Sequence, residues 1–377
     1  MLWLLALGLA ATVALMAWRM LGAQPLGVDF LPLWTAGGMA WTAPDQVYDF
    51  AAVTRPQTWL LPHLRELRPY PYPPSLLLLL APLGRLPFWA AYKLWMLLGV
   101  GVFGLAGARL AQRQRGLALA LMLLTPAAMI AALVGQSVFL ICGLVVLAML
   151  ELERRPWLAG VLLALAGAIK PQAVVLAPVA LLAARQYRAI AGATIAGSLI
   201  LVVSALAFGP QLWLSWAGAL PRFQALIQAH PRMMERMITP SAFGGALGLS
   251  GPADLVWRGM FVAVAVALAW HGFRVSRDAA LRTALLSGGA LLMSPYAVHY
   301  EFVMLAPAAV AAAVNKLDDG VWWPAFVAYL AVALLPMPQW SAVALVAFVA
   351  LSAVQVFDGP ASWRRLAVMA RPGINPS

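Results

Sequence analysis

Three observations predict that the chain is an all-α polytopic membrane protein with about twelve transmembrane helices. Of its 377 residues, 63% are hydrophobic and 10% are charged, whereas soluble domains average about 45–50% apolar and about 25% charged residues. Apolar runs near the length of a bilayer crossing, about 20 residues, recur along the chain. The connections between these runs alternate between arginine-rich and arginine-poor. The composition excludes a disordered chain, and the single cysteine, Cys142, excludes a disulfide framework.

Cutting the apolar runs at charges and at proline or glycine clusters gives the approximate spans. Several are shorter than a full crossing. The first has the length of a signal peptide but lacks a cationic n-region and a clear small-x-small cleavage site, so it is interpreted as an anchor. The predicted spans are 1–19, 88–110, 116–134, 136–151, 156–170, 171–185, 188–208, 255–273, 280–294, 300–314, 321–336 and 340–357.

The basic residues predict the orientation of these spans. Most of them follow spans two, four, six, eight and ten or lie in the tail, whereas the intervening short connections hold one cation, Lys170. By the positive-inside rule both termini are cytoplasmic, and the net charge of +12 reports topology rather than a nucleic-acid partner. The residues that define the cytoplasmic side are Arg109, Arg113, Arg115, Arg154, Arg155, Arg185, Arg188, Arg274, Arg277, Arg282, Lys316, Arg364, Arg365 and Arg371.

Residues 1–377 are predicted to form a single integral-membrane domain with two long extracytoplasmic loops, 20–87 and 209–254, and a cytoplasmic tail, 358–377. Within the first loop, residues 75–83 resemble the start of a span but end too early to cross, because prolines and Arg85 follow. Counting them as a span would invert every later loop. They are therefore predicted to form a re-entrant or interfacial helix.

Polar residues collect on the predicted extracytoplasmic side. Ionisable groups in a membrane protein are costly to bury, so they mark function by default. Because few polar groups fall at mid-depth, the pattern favours an outward-facing reaction or binding centre over an ion path. The members of this set are Asp29, Asp45, Asp49, the run Tyr70–Pro74, Gln136, Lys170, Gln172, Tyr296, His299, Tyr300 and Glu301.

Asp29 has two interpretations. It follows the first span directly, so its carboxylate can point over the cavity mouth and act chemically. It also precedes Phe30, Leu31 and Pro32, which is a plausible helix start that an aspartate would cap. Asp45 and Asp49 are more typical of caps on an interfacial helix.

Four further candidates have a structural alternative each. Tyr72 lies in a stiff, proline-rich approach to the helix at 75–83 and fits a substrate contact or the aromatic belt. Gln136 occupies a tight turn between two spans, where an amide binds a sugar hydroxyl or helix-end carbonyls. Lys170 either binds a phosphate or extends its ammonium to the lipid headgroups, as lysines near helix ends commonly do. His299, which stands beside Tyr300 and Glu301, belongs either to a functional site or to the membrane–water interface.

The second loop is amphipathic, and its Arg232 and Arg236 alternate with apolar side chains near the predicted headgroup level. These cations suit an anionic lipid phosphate or snorkelling. Neither a metal-ligand spacing such as HxxH nor a P-loop, GxGxxG, GxSxG or CxxC motif is present, so no metal and no cofactor is expected.

Several of these motifs, taken in order, resemble the integral-membrane glycosyltransferase family 87 of the C-type superfamily, which includes polyprenyl-phosphate-mannose-dependent mannosyltransferases. The resemblance covers roughly residues 20–310. The motifs that carry it are Asp29-Phe30, Tyr72-Pro73-Pro74 with the Leu-rich helix to Pro82, the span with Trp95, Gly135-Gln136, Ala159-Gly160, Ile169-Lys170-Pro171, and the segment from Pro295 to Tyr300.

The resemblance implies a C-type (GT-C-like) architecture and an inverting transfer of a sugar, mannose-like by default, from a polyprenyl-phosphate donor to a lipid or glycan acceptor. Asp29 would be the general base. Tyr72, Gln136, Lys170, His299, Tyr300, Arg232 and Arg236 would bind substrate or phosphate. The expected place is the plasma (inner) membrane, with the site facing the periplasm or cell exterior. Membrane lipids and the two substrates would be the partners, without nucleic acid.

Two other classes of function stay open. The number of spans alone also suits a transporter or lipid flippase, although no internal six-plus-six similarity is visible. A non-catalytic component of an envelope polysaccharide assembly system would be indifferent to substitution of Asp29.

Overall fold

The computed structural model describes residues 25–230 and 236–315, except 63 and 65, together with residue 11 and residues 342–343 and 345–352. The described part is helical and contains no strand; a single antiparallel bridge joins Met237 to Val298. The predicted span 321–336, the tail 358–377 and Arg232 lie outside the described residues, as does nearly all of span 1–19.

The helices follow one another through short connections, several of which contain a 3-10 helix. The 3-10 helices are Pro44–Gln46, Arg55–Trp59, Pro171–Val174 and His299–Met304. The α-helices are α1 Leu31–Thr42, α2 Phe50–Thr54, α3 Pro74–Leu83, α4 Phe88–Leu110, α5 Arg115–Leu123, α6 Pro126–Val134, α7 Val138–Glu151, α8 Pro156–Ile169, α9 Ala177–Ala183, α10 Tyr187–Phe208, α11 Gln211–Gln228, α12 Pro240–Ala246, α13 Gly251–Val275, α14 Ala279–Met293 and α15 Ala306–Asn315.

Helices form within a few residues of the predicted spans from 88 to 314, but three of those spans are interrupted. The run 116–134 is split into α5 and α6, which meet at 65°. Thr125 precedes Pro126 and is extended, because proline disfavours the helical region for its predecessor, and its hydroxyl caps α6. The runs 171–185 and 300–314 each begin with a 3-10 helix.

Among the described residues, three helices, α4, α10 and α13, are long and apolar enough to cross a membrane, and α5 with α6 makes a fourth if the bent pair is one span. Their surfaces carry large apolar side chains; Leu199 and Leu206 of α10 are 61% and 82% exposed. Such surfaces suit lipid rather than water. The chain is a membrane protein, while the count of twelve spans and the placement of both termini stay predictions.

Glycines let helices approach closely at two crossings. A Cβ at Gly160 of α8 would come 2.1 Å from the Ala189 carbonyl oxygen of α10. A Cβ at Gly37 of α1 would come 2.3 Å from the Leu80 carbonyl oxygen of α3. The two crossings fix α8 against α10 and α1 against α3. Gly160 lies near the start of α8, away from Lys170, whereas α1 and α3 directly follow the Asp29 and Tyr72 segments of the candidate site.

Candidate active site

A cavity of about 440 Å³ opens at one end of the bundle. It lies between the first loop, the turn before α7, the break after α8, helix α11 and the segment before the last 3-10 helix. Its walls include Asp29, Arg68, Tyr72, Gln136, Lys170 and Glu301. Five of the sequence candidates, Asp29, Tyr72, Gln136, Lys170 and Tyr300, therefore lie around one space, although they come from segments far apart in the chain.

Backbone hydrogen bonds bring Asp29 next to the α6–α7 turn. The amides of Gly27 and Asp29 donate to the carbonyl oxygens of Leu133 and Val134, at 2.7 and 2.8 Å. These carbonyls belong to the last turn of α6 and have no partner within their own helix. Gly135 ends the turn with φ +83°, and a Cβ there would come 2.6 Å from Cβ of Phe30. Only glycine fits this turn without moving the Asp29 segment.

The Asp29 carboxylate accepts hydrogen bonds from two side chains. Gln136 Nε2 donates to Oδ2 at 2.7 Å, and Arg68 Nη1 lies 3.5 Å from Oδ1. The carboxylate thus has side-chain partners across the cavity and is not the cap of α1, whose N-cap is Phe30. The Asp29 side chain keeps 30% of its surface exposed.

Burial raises the pKa of Asp29, and the charges of Arg68 and Arg236 and the Gln136 hydrogen bond counteract that rise. A carboxyl group whose pKa lies above its ordinary value is a stronger base once ionised. Asp29 is therefore suited to take a proton from a bound hydroxyl.

Arg68 is the residue that sequence reasoning missed. It lies in a long loop, where the positive-inside rule discounts arginines, and it stands among other charges. Its position directly before Pro69 and the Tyr70–Pro74 run was the available signal. The structure places its guanidinium against the Val28 carbonyl, with Nη1 donating at 3.0 Å, and beside Asp29.

The Tyr70–Pro74 run crosses one wall of the cavity in extended form. Tyr70 is buried and donates its hydroxyl to the Pro73 carbonyl at 3.1 Å, so its hydroxyl is used within the run. Tyr72 faces the cavity, and its hydroxyl lies 3.4 Å from the Ser137 hydroxyl. Burial raises the pKa of Tyr72. Its neutral phenol is placed to hydrogen-bond a ligand.

Lys170 and Glu301 form an ion pair on another wall. Their side chains are 14% and 8% exposed, so Lys170 points into the protein rather than snorkelling to the surface. Lys170 is extended at the break between α8 and Pro171, which aims its side chain away from the helix axis. Gln172 and Tyr296 also line the cavity beside this pair.

His299 lies outside the residues that line the cavity. Its backbone amide donates to the Arg236 carbonyl at 3.2 Å, and its ring also hydrogen-bonds the Arg236 backbone. Burial and the Arg236 charge lower the pKa of His299 to about 4, so the imidazole is neutral near pH 7. The contact ties the second loop to the segment before α15, and a role of His299 in binding substrate stays a prediction.

Arg236 is exposed at the rim of this region, and its charge acts on both Asp29 and His299. Its contact with substrate stays a prediction, as does any contact of Arg232, which lies outside the described residues. Within the described residues, no group of three or more His, Cys, Asp or Glu side chains lies close enough to hold a metal ion.

An apolar groove of about 400 Å³ adjoins the cavity. Its walls come mainly from α8, α9 and α10 and include Leu163, Gly197 and Leu201; Leu201 is 47% exposed, so the groove reaches the apolar outer surface. Pro73 and Pro171 border both the groove and the cavity. Because Pro171 follows Lys170 directly, the groove meets the cavity at its cationic wall.

Comparison with known proteins identifies the family. The model of glycosyltransferase family 87 matches residues 70–295, well over half of the chain. The chain belongs to glycosyltransferase family 87. No curated protein and no solved structure gives a significant match.

Membership in glycosyltransferase family 87 makes this membrane protein a glycosyltransferase, as the motif resemblance predicted. The family match includes Tyr72, Gln136 and Lys170 and leaves out Asp29, His299 and Glu301. The walls of the cavity therefore combine positions inside the matched region with positions on either side of it. Glycosyl transfer needs a group that accepts a proton and a group that stabilises the departing anion, and the cavity contains candidates for both.

Proposed function

We propose that this family 87 glycosyltransferase moves a mannose-like hexose from a polyprenyl-phosphate donor to a lipid or glycan acceptor, with inversion at the anomeric carbon. The observation that carries the proposal is the cavity, which holds a hydrogen-bonded carboxylate, Asp29, and a buried cation, Lys170, on different walls. A carboxylate on one wall and a cation on another suit a reaction in which the acceptor hydroxyl loses a proton and the donor sugar loses a phosphate anion.

Asp29 accepts the proton of the acceptor hydroxyl, and the oxygen so activated attacks the anomeric carbon. The bond from that carbon to the phosphate oxygen breaks on the opposite face, and its electron pair leaves with the polyprenyl phosphate. Attack and departure on opposite faces invert the configuration. Gln136 holds the carboxylate in place for the proton transfer at 2.7 Å.

Lys170 neutralises the departing phosphate. In the structure its ammonium is paired with Glu301, so a donor phosphate binds by sharing the ammonium or displacing that carboxylate. Tyr72 and Tyr300, which also line the cavity, supply hydroxyls for the sugar between the two walls. Aromatic rings with a hydroxyl suit a sugar, which has apolar faces and polar edges.

The apolar groove supports a donor that carries a long hydrocarbon chain. It joins the cavity at Pro171, next to the phosphate-binding cation, and reaches the surface at Leu201. A polyisoprenyl chain attached to a phosphate at Lys170 enters this groove without crossing the Asp29 wall. We therefore assign the groove to the donor, and we propose that the cavity faces the periplasm or cell exterior from the plasma (inner) membrane.

The test measures transfer of labelled sugar from polyprenyl-phosphate hexoses in nanodiscs containing folded protein. Asp29→Asn should reduce transfer by about 10²–10⁴-fold, the usual contribution of general base catalysis, while donor binding is retained. Asp45→Asn is the matched control, because Asp45 is an exposed aspartate of the same loop that does not line the cavity. Its activity should equal that of the wild type.

Three results would contradict the proposal. Full transfer by Asp29→Asn would remove Asp29 as the base. Absence of product from every donor, together with solute flux or lipid scrambling in vesicles, would favour a transporter or flippase. A stable complex with partner proteins and indifference to Asp29 substitution would favour an assembly component.

A further inference from the structure

We propose that Arg68 is a positioning residue for glycosyl transfer: the short helices of the first loop hold it so that its guanidinium fixes the Asp29 carboxylate in the cavity. The inference rests on the proposed function, in which Asp29 is the base. It gives the first loop a role in the reaction that the sequence motifs do not assign.

The backbone of Arg68 is held from both sides. Its amide donates to Thr54 Oγ1 at 2.9 Å, and its carbonyl oxygen accepts from Gln57 Nε2 at 2.9 Å. Gln57 is fully buried and also donates to the Val53 carbonyl at 3.0 Å. The residue at position 68 is therefore joined to α2 and to the 3-10 helix Arg55–Trp59, which are elements of regular structure rather than free loop.

The guanidinium then reaches the segment that carries the base. Arg68 Nη1 donates to the Val28 carbonyl at 3.0 Å and lies 3.5 Å from Asp29 Oδ1. The shorter bond goes to the backbone next to Asp29, so it fixes the position of the cation, and the longer contact acts mainly through charge. The Arg68 side chain is 26% exposed and lines the cavity together with Asp29.

Several other groups act on the Asp29 carboxylate. Gln136 donates a hydrogen bond, Arg236 adds a positive charge from the second loop, and the phenols of Tyr72 and Tyr300 lie close enough to interact electrostatically with it. Arg236 is exposed, so solvent screens its charge. Lys170 and Glu301, which also border the cavity, neutralise one another.

Arg68 is thus the principal charge that opposes the effect of burial on Asp29. Loss of the cation raises the pKa of Asp29 further, so a higher pH is needed to ionise the base. The acid limb of the pH–rate profile, on which activity falls as Asp29 is protonated, therefore moves to higher pH. An opposite charge within about 4–6 Å lowers a carboxyl pKa by about 1–3 units.

The experiment compares Arg68→Gln and Arg68→Lys with the wild type in nanodiscs, measuring kcat and acceptor and donor KM from about pH 4 to 9. Arg68→Gln should move the acid limb upward by about one pH unit or more, with donor KM unchanged. Arg68→Lys, which keeps the charge, should leave the limb near its wild-type position. Arg55→Gln is the matched control, because Arg55 is exposed in the same loop and does not line the cavity.

A second variant covers the case in which Arg68→Gln does not fold. Thr54→Val removes the hydroxyl that accepts from the Arg68 amide and donates to the Phe50 carbonyl within α2, and it should move the limb in the same direction by a smaller amount. An unmoved limb in the folded variants, with Asp29→Asn inactive, would overturn the role of Arg68 and leave the proposed function intact. A raised donor KM with an unmoved limb would instead make Arg68 a phosphate ligand, and an active Asp29→Asn would overturn the proposed function itself.

Discussion

Ion pairs occur at both ends of the helical bundle, but those at one end border the cavity and those at the other end do not. Gln136 and Lys170 lie at one end of α7 and α8, and Glu151 and Glu153 lie at the other, because the two helices are antiparallel neighbours joined by a short connection. At the cavity end, Asp29–Arg68 and Lys170–Glu301 border a space of about 440 Å³. At the opposite end, Glu153 pairs with Arg282 and Glu151 with Arg109, and none of these four lines that cavity.

The difference lies in how the cations are bound. Arg282 is 3% exposed and donates to Glu153 Oε1 at 2.6 Å and to the Ser276 and Phe273 carbonyls at 2.7 and 3.4 Å. Each of the three guanidinium nitrogens of Arg282 therefore donates to an oxygen of the protein. Arg68 has a buried Nε without a hydrogen-bond partner among the described residues, and it borders empty space. Burial of charge alone therefore does not mark a site; burial beside a cavity does.

At the end opposite the cavity, the largest effect should be on stability. Arg282→Met should lower the free energy of unfolding by about 3–5 kcal/mol, because it removes the guanidinium bonds to Glu153 at 2.6 Å and to the Ser276 carbonyl at 2.7 Å, and hydrogen bonds to charged groups contribute about 1.5–3 kcal/mol each. Thermal or denaturant unfolding in detergent measures the loss. Transfer per folded molecule should stay at the wild-type level, and a selective loss of kcat in folded Arg282→Met would contradict the division between the two ends.

Lys170→Gln should have the next largest effect, and the affected quantity should be donor affinity. Hydrogen bonds to charged groups contribute about 1.5–3 kcal/mol, which corresponds to a roughly 10- to 150-fold weaker binding of the polyprenyl-phosphate donor. Equilibrium binding of labelled donor measures it. Asp29→Asn serves as the comparison, because it should spare donor binding while abolishing transfer.

Equal donor affinity in Lys170→Gln and the wild type would remove Lys170 as the phosphate ligand. Glu301→Gln sharpens the same test. It removes the carboxylate that competes for the ammonium, so donor affinity should rise or stay constant in the folded variant.

Gln136→Met should have a smaller effect, confined to the base. The amide hydrogen bond at 2.7 Å lowers the pKa of Asp29, so its loss raises that pKa and moves the acid limb to higher pH. We expect a decrease of about tenfold in acceptor kcat/KM on the acid limb, corresponding to about 1.4 kcal/mol. A pH–rate profile checks it, and an unchanged limb would show that Gln136 binds substrate rather than Asp29.

The sequence predicted helix positions well and side-chain partners poorly. The run at 88–110 became α4 with the same bounds, because a long apolar segment without internal proline has one stable solution in a membrane. Residues 171–185 and 300–314 were predicted as uniform spans, yet each opens with a 3-10 helix. Those breaks place Lys170 and Glu301 at the cavity.

The candidate residues gather around one space. The sequence could predict that they share one side, because the connections that hold them alternate with the arginine-rich connections. Their pairing could not be predicted, because it depends on tertiary contacts between distant segments. Glu301 was noticed only as a neighbour of His299, and no local pattern shows that it pairs with Lys170, 131 positions away. Arg68 had no periodicity or motif of its own, and only its place before the Tyr70–Pro74 run distinguished it from other loop arginines.

The smallest effect should come from the apolar groove and should depend on the donor's chain length. Gly197 of α10 borders the groove, and a Cβ added there meets no atom within 4 Å. Gly197→Leu therefore places a side chain in the groove at little cost to packing. The donor KM should rise several-fold for a long polyprenyl chain and remain unchanged for a short-chain analogue.

Gly101→Leu is the matched control for this change. Gly101 lies on α4, is exposed, and also has no atom within 4 Å of an added Cβ, but it does not line the groove. It should leave the donor KM unchanged at every chain length. Because the groove meets the cavity at the Lys170 wall, Gly197→Leu should also leave acceptor KM unchanged. An equal rise in KM for short and long donors would indicate a general distortion of α10, and a rise in acceptor KM alone would assign the groove to a lipid acceptor.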